Sequence, residues 1–252
     1  MIPSAVATRY VAPLREGGSL PGLVEADDLG TYVMKFRGAG QGIKVLVAEV
    51  IVGELGRRIG LRVPEMKAIL LSGKIARYEA DQEVQDLLKA SVGVNLGIDF
   101  LPGAFGYESV SFRPDPAEAA RILWLDAFTA NIDRSWRNPN LLVWHKKLWC
   151  IDHGAALYFH HNWPAASPER FAAQPFDASD HVLAGPARKG VAAVQTEMEG
   201  RVDEALLGDA LAQVPDKWLE PAQDREEPDE VRRLYVEFLL ARLGRPDAWL
   251  PA

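Results

Sequence analysis

The sequence predicts an α+β fold in which strands come first and helices follow. Three observations carry that expectation. Short runs of β-branched and aromatic residues, divided by turn-forming clusters, fill the first 36 positions. From Val47 the apolar residues recur at helical spacing. From Asp115 on, apolar stripes at helical spacing mark three further helices.

Val6 to Leu14 is strand-like and stops at the turn-forming run Glu16-Gly17-Gly18-Ser19. Leu23-Val24, the turn signal Asp27-Asp28-Leu29-Gly30 and Thr31-Tyr32-Val33-Met34-Lys35-Phe36 complete an antiparallel meander. Past the Gly-rich connection Gly38-Ala39-Gly40-Gln41-Gly42, the residues Val47, Val50, Ile51, Leu55 and Ile59 form one helix face, and Gly60 stands where a C-terminal cap belongs. Val63-Pro64 opens a fourth strand, ending in Ala68-Ile69-Leu70-Leu71. Gln82 to Ala90 predicts a short helix, and Asn95 to Tyr107, rich in glycine and apolar residues, reads as a crossing segment. Asp115-Pro116 starts a helix, with Asp as N-cap and Pro in the first turn. Its stripe is Ala120, Leu123, Trp124, Ala127 and Phe128. Two apolar runs, 141–144 and 148–151, flank the polar turn His145-Lys146-Lys147 as a hairpin. Thr196 to Val214 predicts one further helix, and Val231, Leu234, Tyr235, Phe238 and Leu239 stripe a last one, ended by Gly244 and Pro246. The acidic stretch Glu220 to Glu230 between them reads as an exposed loop.

Composition narrows the function classes. The 252 residues bound the chain to one large domain or two small lobes, and 48% apolar with 25% charged residues excludes global disorder. A net charge of −7 argues against a surface built for nucleic acid or anionic lipid. Cys150, the single cysteine, excludes an intramolecular disulfide framework and a cysteine-based zinc site. No targeting signal and no membrane-length apolar run is present, so the expected location is the cytoplasm.

The most informative stretch is Asn131-Ile132-Asp133-Arg134-Ser135-Trp136-Arg137-Asn138-Pro139-Asn140, followed after the hairpin by Asp152-His153-Gly154. A loop after an apolar helix presents Asp133, with Asn138 five residues on, and the hairpin returns the chain to Asp152. Two carboxylates and an amide oxygen make a hard-oxygen cluster suited to Mg²⁺. Phosphoryl transfer needs a carboxylate at the attacking hydroxyl, metal ligands for the phosphates and a cation for their oxygens. The competing reading is a plain turn, since Asp and Asn bond their own backbone in loops. The D-x₄-N spacing, the hairpin, the later D-x-G and the strand-borne Lys35 favour the chemistry. Arg134 either stabilises the loop or contacts phosphate. For the adjacent His160 and His161, the expectation is two rings pointing in different directions rather than a metal site.

These residues resemble the HipA-like kinases, relatives of the protein-kinase and phosphatidylinositol-kinase folds. The resemblance rests on Tyr32 to Phe36, on Glu49 to Gly60 with Val63-Pro64, and on Asn131 to Asn138 with Asp152, and covers roughly residues 1–160. It implies a two-lobed protein-kinase-like fold: an ATP-binding lobe over 1–72, of antiparallel strands with one helix, and a mainly helical catalytic lobe over 73–252. It implies that Lys35 pairs with the α- and β-phosphates of ATP, that Glu49 holds that lysine, that Asp133 orients or deprotonates the acceptor hydroxyl, and that Asn138 and Asp152 bind Mg²⁺. By position, Gly17, Gly18 and Gly22 form the phosphate-covering loop, with Gly38-Ala39-Gly40-Gln41-Gly42, ahead of a helix N-terminus, as the alternative, and adenine lies against the 68–75 connection, with Leu70 and Leu71. Asn131-Ile132-Asp133 stands where protein kinases have His-Arg-Asp, Asp152-His153-Gly154 where they have Asp-Phe-Gly, and no Ala-Pro-Glu is present.

The expected function is ATP- and Mg²⁺-dependent transfer of the γ-phosphoryl group to a hydroxyl, a protein serine or threonine before a small-molecule or lipid alcohol. The alternatives are a nucleotide-binding pseudokinase acting as scaffold or regulator, and an interaction module without nucleotide. ATP and an unidentified acceptor are the expected partners, without nucleic acid.

Overall fold

In the computed structural model, which describes residues 1–15, 20–40 and 42–251, the first strands close on themselves as a barrel. The chain divides into two units, Met1–Leu46 with Pro64–Pro102, and Val47–Val63 with Gly103–Ala252.

In the first unit, β1 (Ser4–Pro13), β2 (Gly22–Ala26) and β3 (Thr31–Lys35) form the predicted antiparallel meander. Helix α1 (Ile43–Arg58) begins in this unit, and from Val47 it belongs to the second. Then come β4 (Met66–Leu71), α2 (Gln82–Ala90) and β5 (Gly93–Asp99). The barrel order is β1-β2-β3-β5-β4, closed by parallel pairing of β4 with β1. Closure leaves no open sheet edge. Inward-facing Val24, Met34, Ile69 and Leu71 fill the interior, and Val84 and Leu88 of α2 pack onto the same core. Helix α2 starts where the sequence places it, because the Asp81 carboxylate accepts from the Glu83 and Val84 N–H groups.

The first unit runs past the expected boundary at residue 72, because β5 supplies the strand between β3 and β4. From Asn95 this segment reads as a crossing in the sequence, being rich in glycine, although Val94, Leu96 and Ile98 alternate as a strand requires. The glycine at 97 has a packing cause: a Cβ there would lie 2.1 Å from the Ile69 side chain across the ladder.

The second unit is built around α3 (Pro116–Thr129), which follows the short β6 (Phe105–Gly106) and is buried from Ala119 to its end apart from Arg121. The predicted cap is present: Asp115 Oδ1 accepts from the Ala117 and Glu118 N–H groups at 2.9 and 3.0 Å. Asp115→Ala should cost about 1 kcal/mol, read as a lower urea midpoint at unchanged m value. Strands β7 (Leu141–Trp144) and β8 (Lys147–Cys150) make the predicted hairpin and pair with β6 in a three-stranded sheet.

The remaining helices are α4 (Pro168–Ala173), α5 (Ala184–Ala187), α6 (Val191–Glu199), α7 (Glu204–Leu211), α8 (Pro228–Leu243) and α9 (Pro246–Trp249). The single helix expected over 196–214 is thus two, since α6 ends at Gly200 and Asp203 starts α7 by accepting from the Leu206 N–H at 2.8 Å. Trp124 of α3 stacks on Phe128 and meets Trp249 edge-on, while Phe159, Phe171 and Phe238 form a second aromatic cluster against α8. Arg242 of α8 is buried and donates to the carbonyls of Ala127, Phe171 and Gln174, which ties together the ends of α3 and α4. Among the described residues no helix is long and apolar enough to cross a membrane.

Candidate active site

Helix α3 delivers the chain into the candidate loop through a left-handed exit. Ala130 adopts φ 53°, and the Asn131 N–H returns to the Asp126 carbonyl at 2.8 Å. This is a Schellman closure, with alanine where glycine is the commoner choice. The same Asp126 then acts through its side chain. Its Oδ1 accepts from Asn131 Nδ2 at 2.8 Å, and its Oδ2 accepts from Arg134 Nε at 2.5 Å. Residues on both sides of Asp133 are therefore held by one buried carboxylate.

Asp133 is half-buried and its carboxylate is held by two amides. Oδ2 accepts from Asn138 Nδ2 at 2.9 Å and from Asn140 Nδ2 at 3.2 Å, and Asn140 also donates to the Asp133 carbonyl at 2.9 Å. The predicted D-x₄-N pair is thus a hydrogen-bonded pair. Ile132 and Trp136, which flank Asp133, are 71% and 60% exposed, and Arg137 lies over the Trp136 ring at 4.3 Å.

The hairpin turns at His145 and Lys146, both in the left-handed region with φ 48° and 58°, as a two-residue hairpin of this twist requires. At its base Asn140 and Asp152 also adopt left-handed backbone, φ 48° and 57°. Asn and Asp tolerate that conformation better than other non-glycine residues. Asp152 is followed by His153, whose N–H donates to Glu49 Oε2 of α1 at 2.9 Å. Asp152 is half-buried and Glu49 is buried.

Arg134 is fully buried, which settles the two readings open in the sequence in favour of the loop. Besides Asp126 it donates to the carbonyls of Asn140 and Ile151 at the base of the hairpin, and its Nη2 lies 3.2 Å from His153 Nδ1. A guanidinium only donates, so His153 Nδ1 is the acceptor and the ring hydrogen sits on Nε2. Burial acts to raise the Asp126 carboxyl, but the Arg134 charge and the His181 hydrogen bond outweigh it and hold the group well below the usual carboxylate range. Burial likewise lowers Arg134, and the Asp126 carboxylate reverses that to a net rise. Cys150 on β8 is buried, which pushes its thiol up to about 12 and leaves it an inert apolar filler.

The other expected site residues that the structure describes belong to the first unit. Lys35 ends β3, buried and paired in register with Leu96 of β5, in the first unit. Gly17 and Gly18 lie outside the described residues. Gly22 is the first residue of β2, where a Cβ would approach the Tyr10 ring to 2.4 Å, so packing accounts for that glycine. The 68–75 segment expected as the connection between the lobes is β4 and the turn after it, inside the first unit. Leu71 is in the barrel core, Leu70 is exposed on the outside between Val6 and Val94, and the chain passes finally to the second unit at Pro102–Gly103. His160 is buried with Nδ1 2.9 Å from the Tyr235 hydroxyl, whereas His161 is exposed beside Tyr158. Among the described residues no group of three or more His, Cys, Asp or Glu side chains is placed to hold a metal.

Sequence reasoning missed Asn140 and Asp126. Asn140 was within the polar segment, but only the fold turns its amide onto Asp133. Asp126 carried a readable signal: an acid between Leu125 and Ala127, inside an apolar stripe, needs buried partners.

A family model described as HipA-like kinase matches residues 8–251, well beyond the 160 residues over which the sequence resemblance extends. No curated protein matches the chain. Among solved structures, the proinflammatory kinase CtkA of Helicobacter pylori superposes with a TM-score of 0.55 at 11% identity, covering 96% of each chain. A Golgi casein kinase gives 0.49 at 12% identity, covering 98% of this chain and 75% of that one. The likeness to CtkA is one of fold.

Proposed function

This chain belongs to the HipA-like kinase family, and from that premise we propose that it transfers the γ-phosphoryl group of ATP, with Mg²⁺, to a hydroxyl on a protein. The carrying observation is the Asp133 carboxylate, fixed by Asn138 and Asn140 on a loop whose return strand, β8, ends two residues before Asp152. Asp133 is the group that orients the acceptor hydroxyl and takes up its proton as the new P–O bond forms and the bond from the γ-phosphorus to the leaving ADP oxygen breaks. Asn138 commits its amide NH₂ to Asp133, so its amide oxygen is the atom it would offer a cation. With Asp152 this makes an all-oxygen donor set, of the hard type that Mg²⁺ takes together with phosphate oxygens. Bound Mg²⁺ supplies charge neutralisation of the phosphates.

Glu49 supports Asp152 by accepting from the next peptide N–H. Lys35 is assigned to the α- and β-phosphates; its burial at the end of a barrel strand supports a fixed cation rather than a solvated one. The preference for a protein acceptor rests on Ile132 and Trp136. An open apolar rim beside the reacting carboxylate suits an extended polypeptide, whereas a small alcohol is better held by an enclosed pocket.

Thermal shift and labelled transfer test the reading together. Wild-type protein should gain several degrees in Tm with ATP and Mg²⁺, lose most of that gain with EDTA, and transfer label from γ-labelled ATP to protein. Asp152→Asn should remove the Mg²⁺-dependent part of the shift. An unchanged Tm with ATP and Mg²⁺, and no transfer, would sink the proposal.

A further inference from the structure

A buried histidine far from the motif residues in sequence closes the last side of the candidate loop. His181 Nε2 lies 3.0 Å from Asp126 Oδ2, the carboxylate that already holds Asn131 and Arg134. The Leu183 N–H donates to His181 Nδ1 at 3.2 Å, which sets the ring's hydrogen-bond roles: Nδ1 accepts, and Nε2 donates to Asp126. The backbone joins in parallel. Ser135 pairs with His181 as an isolated antiparallel bridge, the Trp136 N–H donates to the Asp180 carbonyl at 3.1 Å, and the Val182 N–H donates to the Arg134 carbonyl at 3.2 Å. Residues 180–182 thus run alongside 134–136, immediately after Asp133.

We propose that His181 is a positioning residue for phosphoryl transfer: through its hydrogen bond to Asp126 it fixes the loop that aims Asp133, and ties that loop to the 180–183 segment. This rests on the kinase reading above. The geometry explains the choice of residue. The site needs one acceptor towards the Leu183 N–H and one donor towards Asp126, on a rigid ring that fits a fully packed space. The Phe176 ring lies against it, and it shares the Asp126 carboxylate with Arg134. An aim error of about 1 Å at a reacting group costs on the order of 100-fold in rate.

Two near-isosteric variants separate the two bonds. In His181→Gln the amide nitrogen falls near the place of Nε2 and keeps the donor to Asp126. In His181→Asn the amide lies near Nδ1, can accept from Leu183, and cannot reach Asp126. With a degenerate Ser/Thr peptide mixture as acceptor, His181→Asn should lose about 10- to 100-fold in kcat with KM for ATP changed less than about threefold. His181→Gln should restore at least a third of wild-type kcat. Hydrogen exchange over 131–138, including the Trp136 amide, should quicken in His181→Asn and stay near wild type in His181→Gln.

Equal kcat losses in both variants, or unchanged exchange in His181→Asn, would overturn the assignment. If His181→Asn does not fold, His181→Gln decides alone: kcat below a tenth of wild type at an unaltered Tm overturns it, and near-wild-type kcat supports it. A wild-type protein that transfers no phosphate refutes the kinase reading instead, and the exchange pattern still decides whether His181 holds the loop.

Discussion

Asp133→Asn should lower kcat for phosphoryl transfer by about 10²- to 10⁴-fold while the Tm gain with ATP and Mg²⁺ persists. The two halves of that result come from different properties of one side chain. As a base and as a negative charge, the carboxylate has no substitute among its neighbours: Asn138 and Asn140 present amides to it, and Arg134 is buried away from it against Asp126. As a structural acceptor, it is replaceable. An asparagine can turn its amide oxygen to the Asn138 and Asn140 donors, so the loop keeps its hydrogen bonds and its backbone path. Nucleotide binding therefore survives where transfer does not. Single-turnover transfer of label, with nucleotide binding followed separately, separates the two. Wild-type transfer by the variant would remove Asp133 from the chemistry. Wild-type protein that binds ATP and Mg²⁺ without transferring phosphate, even with candidate acceptors present, would instead describe a nucleotide-binding scaffold.

Features legible in the sequence are those written within a few residues of one another. Asp81 and Asp115 announce their helices because an N-cap satisfies N–H groups two and three residues on. Asp133, Asn138 and Asp152 stand out for the same reason, since the loop and a tight hairpin bring them into one stretch of about twenty residues. Gly60 caps α1 with φ 90°, a local need met by a local choice. What escaped the sequence was set across the chain. Gly97 weakens the strand pattern of β5 because Ile69, on a neighbouring strand, occupies the space of its side chain. His181 is 55 positions from Asp126, and nothing near either residue announces the pair. The direction of Arg134 needed the fold as well: an arginine beside an aspartate is compatible with phosphate outside or a carboxylate inside, and burial selects the second.

That buried carboxylate should also be the most costly side chain in the second unit to neutralise. Asp126→Asn should destabilise the protein by about 3–5 kcal/mol near neutral pH, because removing one member of a buried ion pair leaves the Arg134 guanidinium without a counter-charge. Three donors converge on the Asp126 oxygens, from Asn131, Arg134 and His181, and an amide can accept with one atom only. Its NH₂ then faces a donor, and at least one buried N–H loses its partner. The pH dependence has a definite sign. The folded carboxyl lies below its value of about 3.9 in the unfolded chain, so between the two the unfolded state binds more protons and stability rises with pH. The contribution is complete above roughly pH 4 and is lost as pH falls through the lower folded value. Urea unfolding of the wild type from pH 7 down to pH 2 should therefore show a steep loss below about pH 4. The Asn variant should start lower and fall less steeply over the same range. Parallel curves for the two proteins would mean that Asp126 is not the group whose protonation the acid transition reports. Activity discriminates further: in a cycle of Asp126→Asn, Arg134→Met and the double variant, the stability losses should be less than additive, with a coupling of about 0.5–3 kcal/mol. Transfer should stay low in all three. Removing both charges relieves the unpaired cation, but it returns neither the Asn140 and Ile151 carbonyl contacts nor the loop that aims Asp133.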